Sequence, residues 1–268
     1  MDRISKQENS TPYTEAEIMA VWRSEWQNEV HTSIKTQFSR LFVEGYRVYK
    51  KYLPPEDQPF TLLEIGAGSG RYGVAIARDY RLSKVTITDP LVESTHLIRG
   101  AVRELNLTNV VVQEEDSLNL SFPDNSFDVV FADVVIQHII DTDTALSEML
   151  RVLKPKGKLI LSVVNTRNPF HFLYKKLLSF LGKEYHYGYE RTYTRSEFKE
   201  LFKRTGITEV TQDGFYCAYG MYRWGYTYKI FKLCGRILNR IIGYTERAFG
   251  RIISPRYGFI IVCIGTKP

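Results

Sequence analysis

Cysteine is scarce in this chain of 268 residues, which contains three. Cys217, Cys234 and Cys263 are odd in number and scattered, and they show neither the spacing of a metal site nor the pattern of a disulfide framework. Four of the five histidines show no mutual spacing that suggests metal binding, and His138 is considered below. We therefore expect no bound metal and a protein of the reducing cytoplasm.

Long hydrophobic runs are also missing. The longest, Phe259 to Ile264, is far too short to span a bilayer. The opening stretch MDRISKQENSTPYTEAE is polar and lacks the apolar core of a secretory signal. These absences predict a soluble protein, or one that touches a membrane only peripherally.

Excess positive charge is absent from the first part of the chain. Residues 1–165 hold 18 Lys and Arg against 23 Asp and Glu, whereas residues 166–268 hold 18 against 7. The basic end would attract an anionic partner, such as a membrane surface, a phosphorylated or carboxylated substrate, or nucleic acid. A solvated basic surface without a partner explains the same charge.

Between Thr61 and Ser162, short apolar runs alternate with helical patterns, as in a parallel sheet with crossover helices. We predict an α/β fold with a doubly wound, mostly parallel, seven-stranded sheet. The predicted strands are 61–65, 85–88, 109–113, 128–133, 158–164, 207–213 and 257–264. The predicted helices lie near 71–80, 92–105 and 143–153, with a further helix that Thr194 or Ser196 caps and that ends at Arg204.

Three segments follow from this pattern: an N-terminal helical segment (1–52), a core (53–165), and a cover that completes the sheet (166–268). The first is predicted to form two helices between Thr14 and Lys51. Aromatic side chains at helical spacing in this segment are expected to be core contacts. They are Trp22, Trp26, Phe38, Phe42, Tyr46 and Tyr49.

The stretch LLEIGAGSGRYG, residues 62–73, contains two overlapping glycine patterns. Gly66, Gly68 and Gly70 give G-x-G-x-G, whereas a frame that starts at Gly68 gives the G-x-G-x-x-G of a dinucleotide site. The apolar run ends at Ile65, so Gly66 is the turn glycine, and Arg71 then occupies the place of the third dinucleotide glycine. We predict the first frame and assign Gly73 to helix packing.

An acidic residue ends the second strand, in VTITDP. Asp89 stands 23 residues after Gly66, where a carboxylate can accept hydrogen bonds from both hydroxyls of a ribose. A strand-terminal Asp can also serve as a helix cap. Its place after a glycine turn favours the nucleoside role.

Two later segments complete a family pattern: VVVQEEDSLNLSFPDNSFDVVFADVVIQHI (110–139) and MLRVLKPKGKLILS (149–162). With EIGAGSG and ITDP, they resemble class I S-adenosylmethionine-dependent methyltransferases, particularly the branch of ubiquinone/menaquinone-type enzymes. The pieces occur in the family's order and spacing across residues 61–163. The resemblance implies a Rossmann-like methyltransferase fold. To this fold the sequence pattern adds N-terminal helices and a helical insertion before the last strand. The resemblance further implies S-adenosyl-L-methionine as cofactor.

The resemblance also implies cofactor-binding residues. Those expected around the methionine part are Glu64, Gly66, Ala67, Gly68 and Gly70, with Ala132 and Asp133 near the ammonium group and the sulfonium. Those expected around the nucleoside are Asp89 at the ribose, Leu91 on the adenine face, and Asp116 with the Ser117 backbone at the adenine edge. Asp133 departs from the small or amide residues common at its place.

His138 is the candidate catalytic base. A sulfonium is already an activated leaving group, so positioning is the main catalytic contribution of the protein. A base becomes useful where the acceptor is a hydroxyl or an acidic C–H. An imidazole titrates near working pH, which suits His138, although a structural histidine near the substrate mouth explains its presence as well.

Two segments beyond the motifs are expected to cover the acceptor. KIFKLCGRILNRIIGYTERAFGRIIS (229–254) and PFHFLYKKLLSFLGK (169–183) predict basic amphipathic helices. They either pack on the domain or on a second copy in a homodimer, or they contact an anionic membrane and wall a lipid-like acceptor. The tyrosines of EYHYGYERTY (184–193) are either an acceptor wall or an exposed loop.

The function predicted from these features is methyl transfer from S-adenosylmethionine to a small-molecule or lipid-like acceptor at O, C or N. A nucleic-acid methyltransferase is an alternative, but the chain reads ADVV after strand four, where base-amine enzymes carry an N-P-P-Y-like tetrapeptide. The second alternative is a non-catalytic scaffold protein that binds the cofactor. The acceptor's identity and the oligomeric state are left open.

Overall fold

A computed structural model describes residues 13–27, 39–182, 188–207, 209–216, 253–254 and 256–268. Seven strands form one sheet: β1 Thr61–Glu64, β2 Lys84–Thr88, β3 Val110–Gln113, β4 Phe127–Asp133, β5 Leu153–Val164, β6 Val210–Phe215 and β7 Ile260–Thr266. The helices are α1 Glu15–Trp26, α2 Arg40–Lys50, α3 Arg71–Asp79, α4 Val92–Glu104, α5 Thr142–Val152, α6 Pro169–Phe180 and α7 Arg195–Arg204, with a 3-10 helix at Ile136–His138.

The sheet has the order β3-β2-β1-β4-β5-β7-β6. Strands β1 to β5 pair in parallel, and β7 runs antiparallel to both β5 and β6. The predicted fold class is therefore confirmed. The strand order reverses between β1 and β4, and in open α/β sheets ligands bind at the carboxyl ends of the strands beside such a reversal.

The predicted starts of β5, β6 and β7, at 158, 207 and 257, lie three or more residues from those in the structure, at Leu153, Val210 and Ile260. Strand β5 begins at Leu153 instead of 158, because Leu153 pairs with Phe127 before a shift in register. Strand β6 begins at Val210 instead of 207, since Ile207 fills the core against Gly265 from the loop ahead of the strand. Because Ile207 is apolar, the apolar pattern in the sequence begins before the first residue of β6 that pairs with β7.

Local capping explains where several helices begin. Thr14 and Thr194 each form a capping box, with Glu17 and Glu197 respectively, and Asn168 caps α6 ahead of Pro169. Such caps satisfy backbone N–H groups that have no partner within the helix. Of the two caps predicted for α7, the structure selects Thr194.

Two apolar cores lie on opposite faces of the sheet. One contains Phe42, Tyr46 and Tyr49 of α2 and the buried side of α3, and the other contains α5 and α7. The predicted core role of these three aromatic residues is confirmed. Trp22 and Trp26 lie elsewhere, as described below, and Phe38 lies outside the described residues.

The predicted amphipathic helix at 229–254 also falls almost wholly outside the described residues, while its counterpart at 169–183 forms α6. Within the part of the chain that the structure covers, no helix combines the length and the apolarity needed to cross a bilayer.

Candidate functional site

A cavity of about 840 Å³ opens at the carboxyl ends of β1, β2 and β4. Most of the predicted site residues line it: Glu64, Gly66, Ala67, Gly68, Asp89, Leu91, Asp116, Ser117, Asp133 and His138. Gly70 and Ala132 do not. Gly70 begins α3 with its Cα turned towards Ile98, and Ala132 is buried in the core below the cavity. The structure therefore gathers residues from four separate motifs around one space.

The loop between β1 and α3 depends on backbone conformations that suit glycine. Gly66, Gly68 and Gly70 have φ angles of +62°, +55° and +67°. A Cβ on Gly66 would lie 2.6 Å from Cγ1 of Val135, and one on Gly68 would collide with Trp26. Because L-residues rarely adopt such φ values, both strain and contact exclude side chains here.

Asp89 ties this loop to the end of β2. Its Oδ2 accepts the Gly68 N–H at 2.8 Å, and its Oδ1 accepts the Leu91 N–H at 3.0 Å. Burial raises the pKa of the Asp89 carboxyl, while the two N–H donors act in the opposite direction. The carboxylate is thus held rigidly at the cavity wall, where it can accept hydrogen bonds from a ligand's hydroxyls.

Glu64 connects β1 to α3. Its Oε2 accepts the Gly73 N–H at 2.8 Å, so the absence of a Cβ at Gly73 allows the helix to approach the strand end. Gly73 therefore has the packing role predicted for it. Burial raises the pKa of Glu64 to about 8, against the opposing effect of the Gly73 N–H. A cation placed beside Glu64 would favour the ionised carboxylate.

Asp133 anchors two helices to the sheet. Its carboxylate accepts hydrogen bonds from the hydroxyls of Tyr49 in α2 and Ser162 in β5, and it forms an ion pair with Arg71 at 3.0 Å. The Asp133 side chain is 8% exposed. This carboxylate therefore contributes to the rigidity of the site as well as to its wall.

Val134, directly after β4, has a φ of +61°. A β-branched residue in this region costs of the order of 1–3 kcal/mol and requires support from its surroundings. Support comes from Ser162, whose Oγ accepts the Val134 N–H at 3.0 Å. The turn places Val135 against Gly66 and starts the 3-10 helix that carries His138. No sequence signal predicted this turn at Val134.

His138 is held by hydrogen bonds on both ring nitrogens. Its Nδ1 lies 2.7 Å from the Tyr189 carbonyl oxygen, which requires a donor at Nδ1. Its Nε2 lies 3.2 Å from Nε2 of Gln137, whose own Oε1 accepts the Val164 N–H at 2.7 Å. This arrangement suits a neutral imidazole that accepts at Nε2, which favours the structural alternative for His138.

Helix α1 forms a wall that sequence reasoning assigned to the core. Ile18, Met19, Trp22 and Trp26 line the cavity. The Trp22 ring meets the His138 ring edge-on, with centroids 4.8 Å apart, and stacks on Trp26 at 6.0 Å. The i, i+4 spacing gave the correct helix face, but it could not distinguish a core partner from a cavity.

The opposite wall was predicted only in part, since Tyr174 belongs to the segment 169–183 that was expected to cover the acceptor. It is formed by Val164 at the end of β5, Tyr174 of α6, Glu190, and Phe259 with Ile260 at the start of β7. These residues come from distant parts of the chain and form no motif. The cavity therefore has a polar end, formed by residues of the sequence motifs, and a largely apolar end, formed by residues that tertiary packing brings together.

Comparison with known proteins gives one family match. The sequence model described as "Methyltransferase domain" matches residues 63–161. A demethylmenaquinone methyltransferase of Geobacillus sp. (strain WCH70) is 28% identical over 125 residues, which are 41% of this chain and 53% of that protein. A 2-methyl-6-phytyl-1,4-hydroquinone methyltransferase of Synechocystis sp. is 31% identical over 163 residues, 59% of this chain and 48% of that protein. The chain spans about half the length of these curated relatives.

The fold has solved counterparts. A SAM-dependent methyltransferase of Thermotoga maritima, described as a possible histamine N-methyltransferase, superimposes with a TM-score of 0.62 at 19% identity, over 94% of this chain and 99% of that one. Likeness at this identity establishes the fold, which is the Rossmann-like fold predicted from the motifs.

The glycine loop yields a stability prediction. We expect Gly66→Ala to lower the free energy of unfolding by more than about 1 kcal/mol, because the side chain meets both an unfavourable φ and Val135. Gly100→Ala in α4 is the matched control: nothing lies within 4 Å of the added Cβ, so we expect a gain of roughly 0.4–1 kcal/mol. Urea denaturation of both variants measures the difference, and equal stability would contradict the loop geometry.

Proposed function

We propose that this chain transfers a methyl group from S-adenosylmethionine to a small-molecule or lipid-like acceptor. Its residues 63–161 form a class I S-adenosylmethionine-dependent methyltransferase domain that resembles those of quinone-type enzymes. The family match supports the class, and with it the cofactor, that the motifs predicted. One observation carries the proposed activity: a single cavity of about 840 Å³ joins the glycine loop to an apolar wall. Ligand pockets commonly measure about 300–1,000 Å³.

The residues at the polar end fit the cofactor. In this assignment the loop of Gly66, Ala67 and Gly68 carries the methionine part, with Glu64 near its ammonium group and Asp89 at the ribose hydroxyls. Leu91, Asp116 and Ser117 border the adenine, while Gly70, Ala132 and Asp133 support the loop from behind and beside it. This assignment is supported by the burial of Glu64 and Asp89 and by the hydrogen bonds that their carboxyl groups accept from the Gly73 and Gly68 N–H groups.

When bound, the cofactor supplies a methyl group on a sulfonium, which is already an activated leaving group. The protein's task is to hold the acceptor in line with that methyl group and to exclude water. Trp22, Trp26, Val164 and Ile260 are suited to that task because they enclose the space beyond the loop with apolar surface.

Asp89 tests the cofactor assignment. We expect Asp89→Ala to weaken S-adenosylmethionine binding by about 100-fold or more, because hydrogen bonds to a charged group contribute roughly 1.5–3 kcal/mol each. Asp57→Ala, at an exposed acid outside the cavity, should bind as the wild type does. Isothermal titration with S-adenosylmethionine and with NAD, together with a thermal melt of each variant, provides the measurement.

Three results would contradict the proposal. Normal affinity in a folded Asp89→Ala protein would remove the site assignment. Tight binding of NAD in place of S-adenosylmethionine would favour a dehydrogenase. Absence of any binding heat from the wild type would favour a scaffold.

Glu64 predicts a pH dependence of cofactor binding. With its pKa raised to about 8 by burial, Glu64 is mostly protonated at pH 6, and an ammonium group beside it favours loss of that proton. Binding therefore releases a proton, and affinity should rise as pH rises, by up to about tenfold between pH 6 and 7. The ligand's α-amino group keeps its charge over this range.

Glu64→Gln is the control for this pH effect. It retains an oxygen that can accept the Gly73 N–H but carries no charge. We expect weaker binding with little change between pH 6 and 7. A wild-type affinity that falls or stays constant over the same interval would contradict the placement of the ammonium group.

The finer proposal is that the acceptor is lipid-like and that α6 contacts an anionic membrane. Phe172, Leu173 and Phe180 on its outer face are 51%, 50% and 87% exposed. Lys176 lies over the Phe172 ring at 4.9 Å, and the helix contains no acidic residue. Exposed apolar side chains beside lysines fit the interface of an anionic bilayer. Tyr174, on the inner face of the same helix, lines the cavity.

Vesicle flotation tests this surface. We expect the protein to float with phosphatidylcholine vesicles that contain phosphatidylglycerol, and Phe180→Glu to reduce the bound fraction by about tenfold, because burial of a Phe contributes roughly 1.5–3 kcal/mol. Leu82→Glu, at a 60% exposed residue away from α6, should float like the wild type. Failure of the wild type to bind these vesicles at low salt would contradict the membrane proposal.

A further inference from the structure

The cavity contains a buried carboxylate that the proposed cofactor assignment leaves without a role. The side chain of Glu190 is 2% exposed and lines the cavity. Its Oε1 lies 2.9 Å from Nζ of Lys175 and 3.4 Å from Nε2 of His171, both on α6. Its Oε2 accepts from Nε2 of Gln137 at 3.2 Å. We call Gln137, His138, His171, Lys175 and Glu190 the polar wall.

Hydrogen bonds fix the orientation of this polar wall. The Val164 N–H occupies Oε1 of Gln137, so the amide nitrogen of Gln137 is shared between Nε2 of His138 and Oε2 of Glu190. The proton of His138 lies on Nδ1, towards the Tyr189 carbonyl. Nε2 of a neutral imidazole has one lone pair, which faces the Gln137 amide, whereas Oε2 of Glu190 has a second lone pair. Glu190 is therefore the better placed proton acceptor of the polar wall.

The charge balance of the polar wall indicates which acceptor it suits. A buried carboxylate is costly unless it is paired, and Lys175 pairs Glu190 at short distance. The pair adds no net negative charge to attract a cationic amine. A carboxylate is nevertheless a strong hydrogen-bond acceptor, with about four lone-pair sites on its two oxygens. A neutral hydroxyl is the partner that such a group can hold without leaving an unbalanced charge.

We infer, resting on the proposed methyltransferase function, that Glu190 binds a neutral hydroxyl of the acceptor and takes its proton during methyl transfer. The O–H bond breaks and its proton passes to Oε2 of Glu190. The electron pair left on the acceptor forms the new bond to the methyl carbon, either from oxygen or from a ring carbon conjugated with it. Where a ring carbon bonds, its C–H bond then breaks, the electron pair of that bond restores the aromatic ring, and the proton is taken up by the oxygen. The methyl–sulfur bond breaks, and its electrons neutralise the sulfonium to a thioether. Glu190 then returns its proton to solvent.

The test compares wild type, Glu190→Gln and the control Glu200→Gln, an exposed acid on α7. The probes are 1,4-naphthohydroquinone, 1-naphthylmethylamine and a reduced lipid extract, each incubated with methyl-labelled S-adenosylmethionine and analysed by mass spectrometry. We expect label on oxygen or on a ring carbon of a hydroxylated arene, and no label on the amine. Glu190→Gln should lower kcat by about 100-fold or more, in the range of a lost general base. Its cofactor affinity should be unchanged, and Glu200→Gln should match the wild type.

The outcomes separate this inference from the function on which it rests. Label on nitrogen, or full turnover by Glu190→Gln, would overturn the role of Glu190 and leave the methyltransferase intact. Cofactor binding without labelling of any probe would contradict the proposed function, and the role of Glu190 with it.

The pH profile distinguishes a proton acceptor from a packing residue. In the part of the chain that the structure describes, the charged and titratable groups that face Glu190 include Lys175 and His171 from α6, with His138 linked through Gln137. Lys175→Met removes the ammonium group, so the acid limb of kcat should move to higher pH by about one unit or more. Lys175 is one-third exposed and tolerates this change better than a buried residue. An unmoved acid limb would overturn the inference even where Glu190→Gln fails to fold.

Discussion

Two buried carboxylates accept backbone N–H groups from the glycine loop and from the helix that follows it, and the rest of the site depends on those contacts. Asp89 holds Gly68 from β2, and Glu64 holds Gly73 from β1. The loop is thereby closed against the sheet with its glycines in conformations that other residues avoid. Val135 packs where a side chain on Gly66 would stand, so the segment that follows β4 takes its position from the same loop. Hydrogen bonds from backbone N–H groups to two carboxyl groups thus set the position of the apolar residues around the loop.

The polar end of the cavity could be predicted from the sequence because its information is local. Gly66, Gly68 and Asp89 lie in the turns that follow buried strands, and parallel strands end at the same edge of the sheet. The apolar end could not, since Trp22, Tyr174, Glu190 and Ile260 come from elements whose mutual packing no short pattern encodes. The i, i+4 spacing of Trp22 and Trp26 identified a buried helix face but not what covers it. Likewise, Ile207 is apolar because it fills the core, and its residue type alone could not reveal that it precedes the strand.

His138 shows where residue type stops being informative. An imidazole near the end of β4 suits a base, a ligand or a structural group equally well. Its hydrogen bonds to Tyr189 and Gln137 favour the structural role, and Tyr189 lies in a loop more than fifty residues away in sequence. Glu190, from that same loop, carried no signal in sequence. Its significance comes from burial beside Lys175 and His171.

Helix α6 supplies both of the chemical environments that an acceptor would meet. Its inner side contributes Lys175 and His171, which balance and position Glu190 at the cavity wall. Its outer side presents Phe172 and Phe180 to the surroundings. An acceptor with a neutral hydroxylated ring and an apolar tail would match this helix on both sides, ring inside and tail outward. A cationic headgroup would meet a carboxylate already paired with Lys175, and a wholly polar acceptor would leave the apolar wall unfilled. The two features of one helix therefore favour the same amphipathic class of acceptor.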